Sequence, residues 1–182
     1  MAKPREEADL VAIARHAIEA HLAGSEAAQP PWIGRRGAVF VTIRRDGELR
    51  GCIGAMSPRH ADLGLEVADR AIAAAEQDPR FSPLTRDEWP HCHVEVSVLG
   101  PLEDVTTSES LDPHAFGVEV RDRIGRTGVL LPDLPGVDTP TQQLSLARRK
   151  GGIPPQVPVA IRRFRVEKHT EPEPVTEADQ RP

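Results

Sequence analysis

In Leu49-Arg50-Gly51-Cys52-Ile53-Gly54 a guanidinium and a thiol stand two residues apart between glycines, inside a run that is otherwise apolar. In extended backbone, residues i and i+2 share a face, so the two groups are expected side by side. A thiolate is a strong nucleophile and a metal ligand, and a neighbouring cation favours the charged form of the thiol. Arg50 has the position to act in this way, or to hold a carboxylate or phosphate through two parallel N–H contacts. Glycines inside a strand weaken it, because they pack nothing and lose the most backbone entropy. Gly51 and Gly54 therefore mark either a bulge or a place where another group comes close to the backbone. The segment reads as the floor of a small site. Against this stand two commoner roles: a free cysteine as a small buried hydrophobe, and a strand arginine paired with an acid such as Glu95.

Other residues with chemical potential are fewer. Glu95 sits among valines; facing inward it would suit general acid or base work, whereas strict alternation puts it on a wet face with His93 and Ser97. His91-Cys92-His93 resembles metal-binding text, yet in a strand the histidines face one way and Cys92 the other. With no second cluster at ligand spacing, no metal site is expected. His60 would close a Cys–His pair only if its loop folded back, and an exposed position is the commoner outcome. Asp78 and Arg80 flank Pro79, so Arg80-Phe81 either lines the site or fixes a link by ion pairing. Arg148, Arg149, Lys150, Arg162, Arg163 and Arg165 form a basic grouping, read first as charge offsetting a helix end. No phosphate-cradling glycine loop, nucleophile elbow or zinc-protease helix is present.

A site of this kind needs elements to hold it. From Glu6 to Leu22, Leu10, Val11, Ile13, Ala14, Ala17 and Ile18 recur on one face of a helix that Gly24 would end. Across 37–45, Val39, Val41 and Ile43 alternate with Phe40 and Thr42 as a strand, and Asp46-Gly47 is the strongest hairpin signal in the chain. The chain returns through 48–54, so the candidate site lies on the second arm of a hairpin. Register then decides what the thiol meets. An even-numbered turn sets Cys52 opposite Val41 on the buried face, and a three-residue turn with a glycine bulge sets it opposite Phe40. Both stay open.

Further along, a helix is expected over 61–77, ended by Asp78-Pro79, followed by a strand over 91–99 and a hairpin of 117–121 with 127–131. A helix starting at Thr139 or Thr141 runs to Lys150, where Gly151-Gly152 stops it, and 157–166 supplies a last strand. Residues 170–182 are rich in proline and acid and are expected to be a disordered tail behind one domain of residues 1–169. Hairpins interleaved with helices, without regular strand–helix–strand alternation, imply an α+β protein with mainly antiparallel sheets and helices packed on them.

Composition bounds these readings. The 182 residues suffice for one well-filled core or two small lobes. Aromatic content is 3% with no tyrosine, so aliphatic side chains must fill the interior. A formal charge of -5 argues against a general nucleic-acid binder, which needs a basic field to displace counterions. No run has the length or the continuous apolar character of a membrane span or secretory signal, and only Cys52 and Cys92 occur. A cytoplasmic protein with reduced thiols is the expectation.

Several segments together resemble the AMMECR domain family of AmmeMemoRadiSam systems. They are 37–42 leading through Asp46-Gly47 to the Cys52 motif, then Asp78-Pro79-Arg80-Phe81, then 94–99, then Gly128-Val129-Leu130-Leu131-Pro132. The resemblance covers nearly the whole chain apart from its tail, and the Cys52 motif is its most specific part. It implies a fold of two related lobes around a cleft, with the cysteine motif near that cleft, and it implies no particular reaction. Proteins of the family are often encoded beside, or fused to, a Memo-like protein similar to extradiol dioxygenases and a radical-SAM protein, which implies a shared pathway. After Pro132 the chain departs from the pattern: Asp133-Leu134-Pro135 stands where a Gln-Val is usual, and a cysteine usual before the later Lys-Ala-Gly stretch is missing around Ala147-Arg148-Arg149-Lys150.

Two classes of function follow. One is a small-molecule enzyme or enzyme component, with Cys52 as nucleophile or ligand, Glu95 as proton shuttle, and a small anionic ligand held by Arg50 and lined by Gly51, Gly54 and Arg80. The other is a non-catalytic adaptor or regulatory protein that meets a partner protein or nucleic acid through its basic grouping. Neither requires a membrane, and neither names a cofactor.

Overall fold

The computed structural model describes residues 9–26, 28–107 and 110–171. Helix α1 (Leu10–Ala23) is capped by Asp9, which accepts the N–H groups of Val11 and Ala12, each at 3.0 Å. Strands β1 (Val39–Arg45) and β2 (Glu48–Gly54) form the expected hairpin. Its two turn residues, Asp46 and Gly47, both take positive φ, 51° and 82°, the mirror-image turn whose twist matches the flanking strands. Helix α2 (Leu63–Glu76), capped by Asp62, is followed by a single 3-10 turn and by β3 (Cys92–Leu99). Then come β4 (Glu103–Asp104), β5 (Gly117–Asp122), β6 (Thr127–Leu130), α3 (Pro140–Lys150), β7 (Val159–Phe164) and β8 (Val166–Thr170). Of the two candidate caps for α3, Thr139 is the one used, in a capping box with Gln142.

The strands make two four-stranded sheets, ordered β2-β1-β3-β8 and β4-β7-β5-β6, with antiparallel hairpins and three helices: an α+β fold. The chain divides into two compact units, one of residues 1–98 with 168–182 and one of residues 99–167. In the first, Val39, Val41, Ile43, Val94, Val96 and Val98 make the sheet's share of a core completed by Ile13, Ile18, Leu63 and Val67 of α1 and α2. In the second, Val118, Val120 and Leu130 pack with Ala147 and Ile153. Both cores are mainly aliphatic, as the shortage of aromatic residues demands, with Trp89 the one aromatic member of the first.

Sequence spacing predicts neither β4 nor β8. The first is two residues long, and the second, Val-Glu-Lys-His-Thr, has one apolar residue and the charge typical of an edge strand. The tail expectation needs correction at its head: Thr170 closes β8, and Glu171 receives Arg15 at 2.7 Å and the Val94 N–H at 3.2 Å. The rest of the expected tail, 172–182, and the expected helix start at Glu6 lie outside the described residues.

Candidate functional site

The face presented by Cys52 is set by an extra residue. A two-residue turn alone would pair Cys52 with Val41, but Arg44 pairs with Leu49, Ile43 with Gly51 and Thr42 with Cys52, leaving Arg50 as a bulge. Neither register weighed from the sequence is therefore realised. The bulge moves Cys52 to the face opposite the helices, where it is half-buried, while Gly51 and Ile53 oppose the core residues Ile43 and Val41. The two glycines make room for protein. A Cβ on Gly51 would collide with the carbonyl oxygen of Ala74 in α2, and one on Gly54 would collide with the Phe40 ring.

From Cys52 a row of polar groups crosses the sheet. The Thr42 hydroxyl donates to Cys52 Sγ at 3.3 Å, Thr42 stands opposite Glu95, and Lys168 Nζ of β8 lies 3.9 Å from Glu95. Thiol, hydroxyl, carboxylate and ammonium thus follow one another on one face. Alternation alone puts Glu95 on a wet surface, yet its side chain is only 20% exposed. Two positions on, Ser97 is fully buried, and its Oγ has no hydrogen-bond partner among the described residues. An unmet hydroxyl in the interior costs about 1–3 kcal/mol, so one that persists calls for an explanation.

Arg50 and Cys52, expected side by side, have different partners. As the bulge residue Arg50 grips Glu88, Nε to Oε1 at 2.9 Å and Nη2 to Oε2 at 3.0 Å, and also donates to the Pro83 carbonyl. The acid that pairs with Arg50 is therefore Glu88, not Glu95. That guanidinium is the main cause holding the Glu88 carboxyl down at about 2, with help from the Thr85 N–H and hydroxyl. The thiol within reach of Arg50's charge is Cys92, which lies in the core and is pushed up chiefly by burial.

The cation that feels Cys52 is Arg80. Buried Asp78 accepts the Cys52 N–H at 2.8 Å along the outer edge of β2, and it also accepts the Arg80 N–H at 3.1 Å. Arg80 closes a two-pronged pair on the same carboxylate, Nε to Oδ1 at 3.0 Å and Nη2 to Oδ2 at 2.7 Å. This pairing is the main cause that holds the Asp78 carboxyl down at about 2. The guanidinium carbons of Arg50 and Arg80 lie over the Phe81 ring, 5.8 and 5.6 Å from its centre. Arg80 therefore fixes the link by ion pairing, and its side chain is still 55% exposed.

The remaining candidates lie apart from this row. His60 Nε2 is 3.5 Å from Asp69, on a loop held by Glu66, which accepts the Arg59 and His60 N–H groups at 2.7 and 2.9 Å. Among the described residues, no group of three or more His, Cys, Asp or Glu side chains could hold a metal ion. Much of the basic grouping is turned to internal use. Arg148 donates to the carbonyls of Pro154 and Val157, Arg162 pairs with Glu119 at 2.6 Å, and Arg163 with Glu103 at 2.8 Å. Thr42, Ser97, Glu88 and Lys168 join the picture only through register and long-range pairing. The one hint in the sequence is the glycine pair, which flags a bulge without saying where it falls.

Comparison with known proteins follows the same outline. The family model AMMECR1 matches residues 11–169. A Thermotoga maritima protein is 48% identical over 74% of this chain and 78% of its own length, and an Aeropyrum pernix protein 38% identical over 91% and 78%. A Clostridium acetobutylicum protein is 36% identical over 93% of this chain but only 37% of its own length. The crystal structure of an uncharacterized protein from Pyrococcus horikoshii superposes with a TM-score of 0.80 at 30% identity, covering 87% of this chain and 88% of that one. Among the described residues no helix is long and apolar enough to cross a membrane.

Proposed function

Since the chain belongs to the AMMECR1 family, we propose that it is a cytoplasmic small-molecule enzyme or enzyme component whose site is the row that begins at Cys52. Cys52 serves as nucleophile or ligand, Thr42 holds its sulfur by a hydrogen bond, and Glu95, balanced by Lys168, moves a proton. Arg80 takes over the anion-holding role first expected of Arg50, whose guanidinium is occupied by Glu88. The observation that carries this reading is the bulge at Arg50, which turns a thiol away from an aliphatic core and toward a hydroxyl and a carboxylate.

The Memo-like and radical-SAM proteins implied by the family resemblance are the proposed partners. A relative in which the matched stretch fills 37% of a longer chain fits a domain that works joined to, or beside, other proteins.

Selective alkylation of the native protein tests the site. Cys52 is expected to react at least ten times faster than Cys92, with Thr42→Val slowing Cys52 and leaving Cys92 unchanged. If Cys52 stays unmodified under conditions that label an exposed thiol, the reading fails. Salt-sensitive binding to RNA or to the Memo-like protein that is lost in Arg149→Ala, and kept in Cys52→Ser, would instead favour an adaptor.

A further inference from the structure

Arg80 offers more than its ion pair uses. It meets Asp78 through Nε and Nη2, and no partner for Nη1 occurs among the described residues. A guanidinium engaged on that side keeps its outer edge, Nη1 with the second N–H of Nη2, which is a two-pronged match for a carboxylate or phosphate. With the side chain 55% exposed, this edge is open. The same Asp78 that holds Arg80 also holds the backbone N–H of Cys52, so cation and thiol are tied to one buried carboxylate.

We infer that the ligand of the Cys52 site is a small organic anion, a carboxylate or phosphate, seated on the outer edge of Arg80, and that Asp78 limits how strongly that anion is preferred. The inference rests on the proposed reading of Cys52 as the reactive group. Asp78 and Arg80 cancel in net charge, so anion selectivity comes from the free donors of Arg80, and removing either partner shifts it in a known direction.

Paired alkylating agents read this directly. Iodoacetate is an anion and iodoacetamide its neutral counterpart; with each, the thiolate forms an S–C bond as the C–I bond breaks and iodide leaves. Their rate ratio at Cys52, measured by peptide mass spectrometry on the intact protein at one pH, cancels the thiolate fraction and reports the charge that an incoming ligand meets. Arg80→Gln is expected to lower the iodoacetate-to-iodoacetamide ratio about threefold or more, and Asp78→Asn to raise it by a similar factor. Inorganic phosphate is expected to protect Cys52 from iodoacetamide in the unaltered protein and not in Arg80→Gln. An unchanged ratio and unchanged protection in Arg80→Gln overturn the inference while leaving Cys52 reactive. Failure of both reagents to reach Cys52 overturns the site reading itself.

Discussion

Asp78 joins four N–H donors with one buried carboxylate, so its proton balance feeds into the stability of the fold. Its carboxyl titrates at about 2 in the folded protein against 3.8 as the ordinary value. Between those values the unfolded chain binds the proton and the folded one does not. The contribution is thus complete above about pH 5 and lost progressively as pH falls through about 2, on the order of 2 kcal/mol. Asp78→Asn is expected to flatten the fall of urea midpoint between pH 5 and 2; parallel curves for the two proteins would refute the assignment. At this scale the sequence singles out Cys52, Arg50 and Arg80, because each sits in a short motif, but it sets Arg50 rather than Arg80 beside the thiol. It misses Glu88 and misplaces Ser97, since the first reaches Arg50 from a distant stretch and alternation reports a face, not the burial of that face.

The bulge is the decisive feature among the elements. Arg50 is the residue left over when Ile43 pairs with Gly51 and Arg44 with Leu49, so deleting it preserves every other pair of the hairpin. A chain lacking Arg50 is expected to keep the nuclear Overhauser contact between the α protons of Thr42 and Cys52 while losing about 1–3 kcal/mol with the Glu88 pair. Loss of that contact would show that the guanidinium, not the hairpin, sets the register. Helix placement has an equally local cause. Gly51 faces the Ala74 carbonyl of α2, and Gly128 of β6 faces the Ala147 carbonyl of α3, each without room for a methyl group. Gly51→Ala and Gly128→Ala are each expected to cost about 3 kcal/mol or more, read as a drop in chemical-denaturation midpoint. The apolar periodicity made α1, α2 and the two hairpins legible, because burial against a neighbour imposes it. β8, polar along most of its length at a sheet edge, carries no such imprint.

Over the whole molecule, two aliphatic cores divide the packing between them. Leu130→Ala, at a site 4% exposed in the second core, is expected to cost about 2–5 kcal/mol. Hydrogen exchange is expected to register that loss in β5, β6 and β7 while the amides of β1 and β3 keep their protection; equal loss in both sheets would mean that the two cores melt together. The second unit lies wholly within the sequence of the first, between Val98 and Lys168. That order has a consequence on the ribosome. β8 is translated at the end of the inserted stretch, so the edge of β3 that it fills waits roughly 3 to 14 s at ordinary elongation speeds. During those seconds a nascent chain displays an unfilled rim, a strand edge open to pairing with its neighbours on the same message.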